Sequence, residues 1–127
     1  MSAVLEHANI TVTDPKTTAQ WMQAVFGWHI RWSGAAKEDG FTIHIGGDDS
    51  YLALYTPATQ PSAGPRSYGM RGGLNHLAVT VSDLDATEKA VIAAGFTPQN
   101  HADYEPGRRF YFRDQDEIEY EVVQYDD

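Results

Sequence analysis

Three side chains have the types and positions to hold a metal ion: His7, His76 and Glu121. Strand alternation over residues 4–12 sends Leu5, His7, Asn9 and Thr11 to one face and Glu6, Ala8, Ile10 and Val12 to the other. Ile10 and Val12 belong against a helix, so His7 looks out from the opposite, concave face. By the same count Leu77, Val79 and Val81 face a second helix and His76 looks out as His7 does. In the last segment Glu119, Glu121 and Val123 share a face. Glu121 sits inside the apolar run 118–123, where a lone buried charge costs several kcal/mol unless something compensates it. A metal ion would compensate it. Two imidazoles and one carboxylate grip a divalent ion from one side and leave the other side open to water and substrate. Neutral imidazole suits Fe, Ni, Zn and Mn.

The elements that must position these residues come from an internal repeat. His7-Ala-Asn-Ile-Thr-Val-Thr-Asp14 lies over His76-Leu-Ala-Val-Thr-Val-Ser-Asp83, and Gly27 lies over Gly95. Each half opens with a β-branched strand, 4–12 or 74–81, and continues into a helix. Asp14-Pro15 and Ser82-Asp83 supply N-terminal caps, and Gly27 and Gly95 follow where a left-handed C-terminal cap wants glycine. The helices run to about residues 26 and 94. Three short strands follow in each half: 28–33, 41–45 and 51–56, then 96–102, 109–113 and 118–125. The order predicts an α+β fold of two βαβββ modules, 1–56 and 74–127, joined by the Pro- and Gly-rich loop 57–73 in one 127-residue domain. Trp21 and Trp32 read as core, and Trp28 and His29 as packing or surface residues. Loop arginines are usually solvated, but Arg66, Arg71, Arg108 and Arg109 could bind an anionic group.

Composition narrows the function. The formal net charge of −9 repels phosphate backbones and anionic membrane surfaces, so neither nucleic acid nor membrane is an expected partner. There is no cysteine, no dinucleotide-type glycine turn and no phosphate loop. Lack of cysteine and of a leader-like start fit a cytoplasmic protein.

The two modules, His7 within Glu-His-Ala-Asn-Ile-Thr-Val, His76 within Leu-Asn-His-Leu-Ala-Val-Thr-Val and the ending 112–121 resemble the vicinal oxygen chelate superfamily across essentially the whole chain. That superfamily includes glyoxalase I, extradiol dioxygenases, methylmalonyl-CoA epimerase and the bleomycin and fosfomycin resistance proteins. The resemblance implies an incomplete eight-stranded barrel around a cavity, a divalent metal, a small substrate with vicinal oxygens and a homodimer. His7, His76 and Glu121 match three of the family's ligand positions. The fourth, a glutamate in glyoxalase-like members, falls on Ala53, which binds no metal. The surviving His-His-Glu set is similar to the extradiol dioxygenase triad, which favours an oxygenase slightly over a glyoxalase I-like lyase. A metal-free ligand-binding protein of the bleomycin-resistance kind, gripping its ligand through Trp28, Trp32, Tyr51 and Tyr55, is the third reading. Tyr111 lies where dioxygenases have a tyrosine near the metal, though a core aromatic would look the same from sequence. His101 lies close to another family position but off its spacing. If Asp48 and Asp49 centre the first-module hairpin, His44 lies opposite Ala53 and leans toward the cavity, as a replacement ligand or an acid or base beside the metal.

Overall fold

The computed structural model describes residues 1–64 and 67–126. Among them are eight strands and two helices, falling into two compact units, Met1–Ser62 and Ala63–Asp127. The boundary lies inside the loop predicted to join the modules. In the first unit β1 (His7–Thr11), α1 (Pro15–Phe26), β2 (His29–Ala36), β3 (Gly40–Gly46) and β4 (Tyr51–Thr56) give an open mixed sheet of order β1-β4-β3-β2. In the second, β5 (Leu77–Thr80), α2 (Leu84–Ala93), β6 (Gln99–Tyr104), β7 (Gly107–Arg113) and β8 (Glu119–Tyr125) give the order β5-β8-β7-β6. This is the predicted βαβββ pair, and each sheet keeps free edges instead of closing into a barrel.

The caps form as expected. Asp14 accepts from the Lys16 backbone N–H at 3.0 Å, Pro15 begins α1, and Gly27 ends it at φ 70° with its N–H on the Gln23 carbonyl. Asp83 accepts from the Ala86 N–H at 3.0 Å. Helix α1 packs Met22 and Val25 toward Ile43 and Ile45 of β3 and Leu52 and Leu54 of β4, all buried. Helix α2 brings Val91 onto β8, where Tyr120 and Val122 are buried.

Several boundaries differ from the sequence reading, each for a pairing reason. Strand β1 begins at His7 instead of residue 4 because its parallel partner β4 begins at Tyr51, which lies opposite His7. Strand β5 likewise begins at Leu77, opposite Tyr120, leaving His76 one residue before the strand. Phe96 is not in a strand: its N–H is bonded to the Val91 carbonyl at the helix end, so β6 starts at Gln99. Trp21 is core, but Trp32 is 53% exposed. It stands on edge strand β2 opposite His44, on the face away from α1. Among the described residues no helix is long and apolar enough to cross a membrane.

Candidate functional site

The second unit gathers a chain of polar side chains around Glu121. On β8, Glu121 lies opposite Tyr111 of β7 and beside Ala78 of β5, and it is only 7% exposed. Its Oε2 accepts from Arg109 Nη1 at 2.8 Å, and its Oε1 is 3.2 Å from His76 Nε2. The sequence reading assigned compensation of the buried carboxylate to a metal; the structure provides a guanidinium, itself nearly buried and stacked 4.8 Å over the Tyr104 ring. Arginine suits this place because it stays charged and engages an aromatic face while bonding a carboxylate.

On its other side His76 meets the joining loop. Tyr68 Oη is 3.1 Å from His76 Nδ1 and donates to Glu119 Oε1 at 2.7 Å. That bond to Glu119 is the main reason the Tyr68 phenol titrates above its ordinary value. Tyr111 stands edge-on to His76, with ring centroids 5.7 Å apart. Burial, and then the adjacent Glu121 charge, hold the Tyr111 phenol in its protonated form well into alkaline pH. Tyr111 is therefore a half-buried neighbour of Glu121, not part of the helix-facing core.

In the first unit a column of rings crosses the sheet. His7 stacks on Tyr51 (4.8 Å, 12°), Tyr51 on His44 (4.8 Å, 25°), and His44 lies 5.2 Å from Trp32. Arg31 covers the Tyr51 ring at 4.6 Å. His7 Nδ1 is bonded to Glu6 Oε1 at 2.9 Å. Because a carboxylate only accepts, Nδ1 carries a proton. The hairpin register places His44 opposite Ala53, as the position of its turn predicts. His44 lines a cavity of about 520 Å³ with Asn9, Thr11, Thr42 and Tyr55. Burial, followed by the fields of His7 and Arg31, lowers the His44 pKa and keeps the ring neutral near pH 7. Thr42 Oγ1 is buried beside this cavity with no hydrogen-bond partner.

His7 thus belongs to the first unit, and His76 and Glu121 to the second. Among the described residues no group of three or more His, Asp or Glu is gathered as a metal site. His101 pairs with Glu88 at 2.9 Å and stacks on the helix-facing Phe110, away from Glu121. His29 is exposed. Of the four arginines, Arg66 lies outside the described residues, Arg71 is exposed, and Arg108 makes an exposed pair with Asp85. Only Arg109 reaches the Glu121 cluster. Sequence reasoning missed Tyr68 altogether, since a tyrosine in a Pro- and Gly-rich loop carries no local sign of its partner 51 residues on.

The chain matches the model of the Glyoxalase/Bleomycin resistance protein/Dioxygenase superfamily over residues 4–122, and it belongs to that family. Among solved structures it is similar to the glyoxylase/bleomycin resistance protein/dioxygenase domain from Frankia sp. EAN1pec (TM-score 0.81, 22% identity, 100% of this chain and 94% of that one). It is also similar to fosfomycin resistance protein FosX from Listeria monocytogenes, complexed with Mn(II) and sulfate (TM-score 0.74, 19% identity, 99% and 95%). A mutant glyoxalase I from Zea mays aligns with a TM-score of 0.80 at 16% identity, over 98% of this chain and 45% of that one. These likenesses establish the fold. No curated protein matches.

Proposed function

We propose that this protein is a metal-dependent enzyme of the superfamily acting on a small substrate with vicinal oxygens, with His7, His76 and Glu121 as its ligands. The observation that carries the reading is the juxtaposition of His76 Nε2 and Glu121 Oε1 at 3.2 Å, with the outer atom of each already held, Nδ1 by Tyr68 and Oε2 by Arg109. Two donors bound to one ion at about 2.0 to 2.2 Å stand roughly 3.0 to 3.4 Å apart, so the pair fits a divalent cation without moving either side chain. Outer contacts of this kind orient metal-binding histidines and carboxylates. His7, with Nδ1 on Glu6, offers Nε2 in the same way.

Bound there, a divalent ion would act as a Lewis acid toward a pair of substrate oxygens. Tyr111, protonated at neutral pH, serves as a hydrogen-bond donor beside Glu121. His44, neutral and facing the cavity, serves as a proton acceptor. Ala53 at the position equivalent to Glu121 supports an oxygenase of the extradiol type over a glyoxalase I-like lyase. Fe, Ni, Zn and Mn all suit the donor set, and the Mn(II) of the FosX complex makes manganese a natural first probe. The proposal extends to a cytoplasmic homodimer, supported by the absence of cysteine and by exposed Ile30 and Trp32 on edge strand β2.

A metal-free ligand-binding protein is the second reading, and Arg109 favours it, because the Glu121 charge is already neutralised at 2.8 Å. Equilibrium dialysis of the stripped protein against Mn(II), Fe(II), Ni(II) and Zn(II) separates the two. The enzyme reading expects one tightly held ion per chain, lost in His76→Ala and Glu121→Gln while far-UV circular dichroism is unchanged. Anaerobic Fe(II) loading followed by oxygen uptake with catechols, set against lyase assays with hemithioacetals, then sorts the reaction. No uptake, or uptake indifferent to both substitutions, overturns the metal site.

A further inference from the structure

His76 lies between Tyr68 at Nδ1 and Glu121 at Nε2. The Tyr68 phenol has one proton, and the Glu119 carboxylate 2.7 Å away can only accept, so Tyr68 donates to Glu119. The Tyr68 oxygen is then left with lone pairs alone for His76 Nδ1 at 3.1 Å, and Nδ1 must carry the hydrogen. A neutral imidazole has one N–H, so Nε2 is bare. In the neutral ring it faces Glu121 Oε1 across 3.2 Å, acceptor against acceptor, an arrangement relieved by a second proton on Nε2 or by a metal cation between the two atoms. Glu121 cannot swing away, because Arg109 holds its other oxygen.

We infer that Tyr68 and Glu119 are positioning residues: together they fix His76 in its Nδ1–H form and aim its bare Nε2 beside Glu121 as a donor to a divalent cation. The last step rests on the metal reading; the tautomer does not. The repeat explains why a loop residue is needed. In the first unit Glu6 precedes His7 and bonds its Nδ1 directly, whereas the residue before His76 is Asn75, which has no carboxylate to offer and whose side chain lies 3.0 Å from the Ser67 hydroxyl. Tyr68, relaying to Glu119, does for His76 what the neighbouring carboxylate does for His7.

Nitrogen NMR of histidine-labelled, metal-free protein, followed to rising pH until the ring signals are those of the neutral imidazole, reads the tautomer directly. The wild type is expected to show His76 as Nδ1–H. Tyr68→Phe removes the acceptor, and His76 should shift toward the Nε2–H form that an unconstrained imidazole favours. Glu119→Leu is the sharper test. It keeps roughly the size but offers no acceptor, freeing the phenol proton for Nδ1 and turning His76 to Nε2–H, an effect that mere packing of Tyr68 would not produce. Mn(II) affinity should fall roughly 10- to 100-fold in both variants. A wild-type Nε2–H form, or a tautomer indifferent to Glu119→Leu, overturns the inference, and the Leu variant decides the matter even if Tyr68→Phe fails to fold. Tautomers that shift as expected while no form of the protein, wild type included, takes up Mn(II) would uphold the positioning role and sink the metal reading alone.

Discussion

Glu121 and Arg109 form a charge pair almost withdrawn from water, at 9% and 13% side-chain exposure. Such a pair adds little net stability over a well-packed apolar one, yet removing one partner leaves the other as an uncompensated buried charge, at a cost of about 3 to 5 kcal/mol. Arg109→Met should therefore destabilise the protein by about that amount in urea denaturation. Arg109→Met combined with Glu121→Met should recover most of the loss. If the single substitution costs under about 1 kcal/mol, water or His76 is already carrying the Glu121 charge and the pair does not hold the site together. His76 belongs to the same argument, since its neighbours decide which nitrogen it presents.

At the scale of the element, the turn between β7 and β8 is locked by Asp114. Its Oδ1 accepts from the backbone N–H groups of Asp116 (2.9 Å) and Ile118 (3.1 Å), and its Oδ2 from the Tyr120 hydroxyl (3.1 Å). Burial nevertheless outweighs these bonds and pushes the Asp114 pKa up to about 6 from 3.8. A folded-state pKa above the unfolded value means that the folded state binds the proton more tightly. Its contribution is fully present below about pH 4 and is lost as pH rises through about 6, on the order of 3 kcal/mol. Asp114→Asn keeps an acceptor for both N–H groups and cannot ionise. The difference in unfolding free energy between wild type and Asp114→Asn should therefore change in the variant's favour between about pH 4 and 6. Parallel pH profiles for the two proteins would show that Asp114 titrates as an ordinary carboxylate. The hairpin between β3 and β4 closes differently: the Gly47 N–H bonds the Ser50 carbonyl, and a Cβ at Gly46 would run into that carbonyl oxygen.

Across the whole molecule the two sheets repeat one register with different occupants. Asn9 lies beside Ala53 as Ala78 lies beside Glu121, and His44 lies opposite Ala53 as Tyr111 lies opposite Glu121. Thr42, opposite Tyr55, is the counterpart of Arg109, opposite Val123. The carboxylate and its arginine are thus both present in the second unit and both absent from the first, where a cavity and the unpartnered Thr42 hydroxyl stand instead. Restoring only the missing glutamate should fail. Ala53 is 3% exposed, so Ala53→Glu buries a charge with no guanidinium to meet it and should cost about 3 kcal/mol or more. Thr42→Arg added to Ala53→Glu should return part of that stability, as read by thermal or urea unfolding. No recovery would mean that the units do not share the geometry their registers imply.

What the sequence determined by itself is what short-range chemistry governs. Period-two alternation assigned faces to His7 and Glu121, Asp14-Pro15 and Gly27 bounded α1, and the glycine–aspartate turn set His44 against Ala53, because each depends on residues a few positions apart. The repeat and the family were legible for the same reason. Side-chain partnership was decided only by the tertiary structure. Glu121 could be recognised as a carboxylate in need of a counter-charge, but whether a metal or Arg109 supplied it depended on strand pairing that lays β7 against β8. Trp32 looked like core until its edge strand turned it to the face away from α1. Tyr68 meets His76 and Glu119 because the joining loop folds back on its own unit, a closure that composition leaves open.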